Sequence, residues 1–386
     1  MPLLGRWALI LVVLAATLAV PLRSQLVFSS VGKRVVGKNN KDCFSVPGLE
    51  ACEDAKFVGK DSDFAYLACS TIAQRALWTP AALKLDALSL PPVSSDHVAV
   101  FDLSSRSYTK VGLIGLPVEA GGIWVHGMDI YRDPLEAKKL TLFLISHQPP
   151  EDRASASRVD ADSVVEIFET EVGARQARWI KTGRHELVKT RNAVAATSSR
   201  TFYVTNDHNS KTRSEHWSRP FGDIWPLPTS IAYCDASGDT TECMAAADKL
   251  VFPNGLAIHG NLVYHTSSKK GTIGVWQAQQ DHSLQLLDTI QLGATLDNIL
   301  VGSDGAIYAP TYPKLFEILK VASSSGASEA SPAVEVWKIT SETDTELVFA
   351  DAGSLVSGTS TAAPHVNKLF LTGGYAKKVV ICTIRT

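Results

Sequence analysis

The sequence predicts an all-β protein, a six-bladed β-propeller, and three observations carry that expectation. Short apolar or β-branched runs recur along the chain, each bounded by Gly, Pro, Asn, Asp or Ser. Amphipathic helical periodicity is scarce. Many short strands at regular intervals favour a sandwich, barrel or propeller over an α/β sheet, and about 340 residues folded as one unit suit six blades of roughly 55–60 residues each. No sequence repeat marks the blades.

Taken in order, the first element is an address. Arg6 precedes an apolar run from Trp7 to Val20, followed by Pro21 and Arg23. The run is shorter than the ~20 residues a bilayer-spanning helix prefers. Residues 1–24 therefore read as a signal peptide or short signal anchor, 25–42 as a polar connector, and 43–386 as the propeller. The expected location is the secretory pathway, secreted or held at a membrane by the uncleaved segment.

The strand runs follow as His97–Asp102, Leu140–Ser146, Val164–Phe168, Phe202–Thr205, Leu262–Thr266, Ile273–Gln277, Val334–Ile339, Leu347–Ala350, Lys368–Thr372 and Val379–Ile384. Gly260-Asn261 and Ser303-Asp304-Gly305 are the clearest turn signals between them. Ser155–Asp162 and Ala322–Ala333, rich in Ser, Ala and small polar residues, read as exposed connections. The stretch 208–228 carries Trp217, Phe221, Trp225 and two prolines, which suits either a cover over the core or a membrane-facing lip.

Composition narrows the function. Of 386 residues, 45% are hydrophobic and 20% charged, which supports a sizeable core and excludes wholesale disorder. Lys+Arg 37 against Asp+Glu 39 leaves a net charge of −2, so a nucleic-acid partner is not expected. Six cysteines in an exported chain, with no C-x-x-C, point to disulfides. Cys43 and Cys382 suit a bridge between the two ends, Cys52 with Cys69 and Cys234 with Cys243 would be local bridges, and spacing alone leaves other pairings open.

The G-x-S-x-G elbow, H-E-x-x-H, the P-loop and G-x-G-x-x-G are all absent. What remains is Asp, Glu, Asn and His beside small residues at strand ends: Glu53-Asp54, His126-Gly127, His147, Asn192, Pro253-Asn254-Gly255 and Asp297-Asn298. Oxygen donors dominate, as Ca²⁺ requires.

Six segments in order, Leu49-Glu-Ala-Cys-Glu-Asp54, Val125-His-Gly-Met128, Leu144-Ile-Ser-His147, Phe202-Tyr-Val-Thr-Asn-Asp-His208, Phe252-Pro-Asn-Gly-Leu256 and Leu296-Asp-Asn-Ile299, resemble the serum paraoxonases, calcium-dependent arylesterases and lactonases that fold as six-bladed propellers. The resemblance implies closure by a Cys43–Cys382 disulfide and hydrolysis of a small lactone or aryl ester. It implies a catalytic Ca²⁺ held by Glu53, Asn192, Asn254, Asp297 and Asn298, proton transfer by His126 and His147, and Phe252 as a wall of the pocket. It also implies a second, structural calcium at Asp54 and the Met128 carbonyl, completed by an acid where this chain has Ala193. That set is one carboxylate short, which counts against the second ion. The alternatives are a gluconolactonase- or strictosidine-synthase-like propeller and a non-enzymatic extracellular binding propeller. Membrane association, if present, would use the N-terminal segment or the 208–228 loop.

Overall fold

The computed structural model describes residues 33–117, 121–211, 228–324, 331–341 and 343–385. Within them, strands form six sheets of four or five strands and one two-stranded ribbon. Each large sheet is an antiparallel meander, except that Gly112–Ile114 adds a parallel edge strand to the second. The first strands of the six sheets are Cys52–Gly59, Val125–Arg132, Arg191–Ala196, Pro253–His259, the pair Thr295–Leu296 with Leu300–Val301, and Thr361–His365. Each packs against the next and the last against the first, so they ring a central axis and the sheets radiate as blades. The propeller expectation holds.

The blade interior explains why the strands read as continuous apolar runs. Lys139–Gln148 is buried along eight consecutive positions, because both of its faces are covered by neighbouring blades. The core is accordingly split into layers between blades. One joins Leu49, Ala55, Leu67 and Phe101 of the first blade to Phe370 and Ile381 of the sixth. Another joins Tyr66, Val98 and Val100 to Leu142, Leu144 and Phe168.

The ring closes by exchange of ends. Cys43–Val46 pairs antiparallel with Val379–Thr383 and supplies the outer strand of the sixth blade, with Cys43 opposite Cys382 and disulfide-bonded to it. Cys52–Cys69 and Cys234–Cys243 are the other bridges, both across neighbouring strands. The first bridge spans a sequence separation of 339. Replacing Cys43 and Cys382 by Ala should release about 2–5 kcal/mol and lower Tm by roughly 3–7 °C in a scanning melt. An unchanged Tm would mean the strand pairing alone closes the ring.

Two expectations are corrected. Ser155–Asp162 is not an exposed connection: Arg153–Ser155 and Ala156–Val159 are helical turns, and Ala156 and Ala161 pack with Trp78 and Trp124 in a small core. Small side chains there allow close packing. The beginning of Ala322–Ala333 belongs to the helix Leu315–Ser323, whose apolar positions Leu315, Ile318 and Leu319 recur at helical spacing, and Ala333 is buried. Part of the expected connector is also seated, with Lys38 bridged to Ala350 by two backbone hydrogen bonds. The N-terminal segment 1–24, Trp217, Phe221 and Trp225 lie outside the described residues. Among the described residues no helix is long and apolar enough to cross a membrane.

Candidate active site

The candidate residues gather where the inner strands begin. Register shifts interrupt the ladders between Cys52 and Asp54, opposite Val125–Met128, between Arg191 and Val194, and between Pro253 and Leu256. A β-bulge frees a residue from pairing and re-aims its side chain. Those bulges carry Glu53, His126, Asn192 and Asn254. In the fifth blade the strand is broken outright: Leu296 and Leu300 both pair with Ile307–Tyr312, and Asp297 and Asn298 occupy the break.

Hydroxyls brace these starts. Thr205 Oγ1 donates to Asn254 O at 2.8 Å, and Ser360 Oγ and Thr361 Oγ1 donate to Glu53 O at 2.8 and 3.0 Å. Asn298 Nδ2 donates to Thr361 Oγ1 at 2.9 Å and to Glu53 O at 3.2 Å, tying the fifth blade to the first and sixth. Backbones approach closely: a Cβ on Gly255 would sit 2.6 Å from Asn298 Cα, and one on Gly374 would collide with Glu53 Oε2. Glycine is required at 255, where the neighbours are backbone, whereas a side chain at 374 would displace the Glu53 carboxylate.

Glu53, Asn192, Asn254, Asp297, His126 and Phe252 all line one cavity of about 690 Å³. Asn298 and His147 stand behind its wall. Burial, reinforced by the nearby Asp297 charge, pushes Glu53 up to about 8, against the pull of the Arg75 guanidinium. Burial likewise pushes Asp297 up to about 6, although Tyr312 OH donates to its Oδ2 at 2.8 Å. Asn254 Oδ1 is buried with no hydrogen-bond partner among the described residues. Two carboxylates held above their ordinary range beside an unbonded amide oxygen leave a deficit of positive charge that a cation would fill. Among the described residues no group of three or more His, Cys, Asp and Glu side chains forms a metal site. This cluster has two acids and relies on amides for the rest.

His126 and His147 come together as expected, with ring centroids 4.9 Å apart. Burial lowers both, His126 well below its ordinary value and His147 to about 3, so both rings are neutral near pH 7. His147 Nδ1 lies 2.8 Å from Ser163 Oγ, its backbone N–H donates to Trp124 O, and its carbonyl accepts from Trp78 Nε1. His126 Nδ1 and His147 Nε2 have no hydrogen-bond partner among the described residues.

Asp207 was not singled out by sequence, yet its charge raises both histidines and its Oδ2 accepts from Asn192 Nδ2 at 3.3 Å. His208 Nδ1 lies 2.8 Å from Asp207 Oδ1, and its ring stands edge-on to Phe252. Tyr312, Ser360, Thr361 and Gly374 were likewise missed. The Thr205-Asn206-Asp207-His208 run held the only available signal, an acid and a histidine at a strand end.

The proposed second-ion residues fall elsewhere. Asp54 and Met128 are buried and do not line the cavity, and Met128 N–H donates to Asp54 Oδ2 at 3.2 Å.

Comparison with known proteins assigns the family. The arylesterase family model matches residues 126–384, from His126 through the last strand. The chain belongs to the arylesterase family. Membership places it among the carboxylic ester hydrolases. The match begins after Glu53, so that residue enters through geometry. Human serum paraoxonase/arylesterase 1 is 24% identical over 306 residues, covering 77% of this chain and 79% of its own. Human serum paraoxonase/lactonase 3 is 25% identical over 267 residues, covering 67% and 68%. Among solved structures, the Malassezia sympodialis allergen Mala s 1 matches with TM-score 0.52 and 10% identity, over 89% of this chain and 96% of its own. A Dyadobacter fermentans protein of unknown function matches with TM-score 0.51 and 9% identity, over 90% and 99%. These two likenesses concern the fold alone.

Proposed function

We propose that this arylesterase-family chain hydrolyses lactones and aryl esters with one Ca²⁺ held by Glu53, Asn192, Asn254, Asp297 and Asn298. The observation that carries the reading is the unbonded Asn254 Oδ1 beside two buried, mutually repelling carboxylates at the cavity that His126 lines. Ca²⁺ takes six to eight oxygens, and when bound it supplies Lewis-acid polarisation of the ester carbonyl.

The chain's own groups do the rest. Leu83, Val251, Phe252, Leu296, Leu315 and Ile318 make the cavity walls largely apolar, which suits an acyl or aryl group and limits competing water. His126 takes a proton from the attacking water as the water oxygen bonds to the carbonyl carbon. His147, its ring centroid 4.9 Å from that of His126, stands next in line for the proton, while Asp207 stabilises the positive charge and Ser163 fixes the second ring. When the carbon–oxygen bond to the leaving group breaks, the proton returns to that oxygen, giving an acid and an alcohol or phenol. Three disulfides suit an oxidising compartment and support export.

The test is hydrolysis of phenyl acetate and a simple lactone in excess chelator, followed by Ca²⁺. Activity should vanish and return, and Ca²⁺ at about 100 times Kd should add about 2.7 kcal/mol of stability. Full activity in chelator, with the far-UV spectrum unchanged, would sink the proposal. Family membership removes most support from a non-enzymatic binding propeller.

A further inference from the structure

The residues expected to hold a second, structural calcium do not fit one, and what stands there instead is a lysine. Asp54 and Lys56 are two apart on the innermost strand of the first blade, so their side chains leave the same face. Lys56 Nζ lies 3.5 Å from Asp54 Oδ2, with both side chains buried. The other acceptor capacity of Asp54 is met by donors: Ala55 N–H at 2.9 Å on Oδ1, Met128 N–H at 3.2 Å on Oδ2, and Thr361 Oγ1 at 3.3 Å from Oδ1, whose one hydrogen is shared with Glu53 O. A carboxylate wrapped by N–H and O–H groups turns hydrogens, not oxygens, toward its surroundings. An ion there would meet them.

The neighbouring blades complete the picture. Asp129, on the innermost strand of the second blade, accepts from Ala196 N–H at 2.8 Å and is close enough to Lys56 and Asp54 to feel both charges. The third blade offers Ala193, whose methyl can neither ligate an ion nor add charge. Its Cα lies 3.4 Å from the place a Cβ would take on Gly127, immediately before Met128, so the missing carboxylate is missing at this spot.

We propose that the Lys56 ammonium is the built-in cation of the inner ring, neutralising Asp54 where a structural calcium would otherwise sit, so that the chain carries no second metal. A covalently attached charge cannot be chelated, and a buried pair of this kind is costly to break from one side. Nothing in this inference depends on the reading of the cavity site.

The experiment counts Ca²⁺ by equilibrium dialysis of the full chain and of Glu53→Gln, and follows Tm in excess chelator for the wild type and Lys56→Met. One ion on the wild type and none on Glu53→Gln is expected. An ion that survives Glu53→Gln and is lost in Asp54→Asn would overturn the inference. No ion on either protein would refute the cavity site and leave the inner-ring lysine supported. In chelator, Lys56→Met should melt about 5 °C or more below the wild type, and Lys56→Arg should recover most of that loss. A Lys56→Met protein with the wild-type Tm would overturn the inference as well. If that variant does not fold, the ion count on the other proteins still decides.

Discussion

Glu53→Gln is expected to lower ester and lactone hydrolysis on the order of 10³-fold while making the chelated protein more stable than the wild type. The two effects have one cause. Without a cation, Glu53 is a buried carboxylate facing Asp297, and burial with that repulsion pushes it up to about 8. Its folded value exceeds its unfolded value of 4.5, so its stabilising contribution is complete below 4.5 and is lost as pH rises through about 8. Asp297 acts likewise over a lower window, from 3.8 to about 6. The buried histidines act oppositely: lowered below 6.5, they make stability rise with pH until about 6.5 and then stop contributing. Between pH 6.5 and 8, of these groups only Glu53 changes its proton count with folding. Metal-free wild type should therefore lose stability across that interval in urea titrations, and Glu53→Gln should lose markedly less. Saturating Ca²⁺ should flatten the wild-type curve and leave the variant unmoved. A Ca²⁺-dependent Tm shift of wild-type size in Glu53→Gln would remove this residue from the ligand set.

The strands were legible because burial on both faces writes itself into composition. His97–Asp102, Val334–Ile339 and Lys368–Thr372 have the bounds that their apolar runs indicate. The helix Leu315–Ser323 was not, since its apolar stripe is one short turn pattern among many strand-like runs. At the site, Asn254, Asp297 and Asn298 stood out as oxygen donors beside turn residues. What sequence spacing cannot hold is which starts meet around the ring. Asn298 touches Glu53 and Thr361 only because the first, fifth and sixth blades converge on the axis. Tyr312, the last residue of the strand Ile307–Tyr312, reads as a core aromatic until its hydroxyl is seen on Asp297. Lys56 reads as an ordinary strand charge until its partner strands enclose it. In each case a local reading assigns burial or exposure, and ring closure assigns the partner.

His126→Gln should leave Ca²⁺ affinity and Tm near wild type and lower kcat for lactones about 10²- to 10⁴-fold. The expectation rests on position, because His126 lines the cavity beside the oxygen cluster without hydrogen-bonding to it among the described residues, and Gln preserves much of its volume. His147→Gln should cost less. Its ring stands behind the wall, tied to Ser163, and a water could take over part of its relay. The pH profile separates a proton carrier from a packed ring. Burial holds the His126 imidazole neutral well below its ordinary value, so the acid limb of kcat/KM should lie on the acid side of 6.5. Asp207 opposes that shift, and Asp207→Asn should displace the limb further toward acid while His126→Gln abolishes it. Two results would decide against His126 as the base. One is a variant with wild-type lactone turnover. The other is reduced turnover with the acid limb unchanged, which would make the ring a positioning group and move the proton to another carrier on the cavity wall.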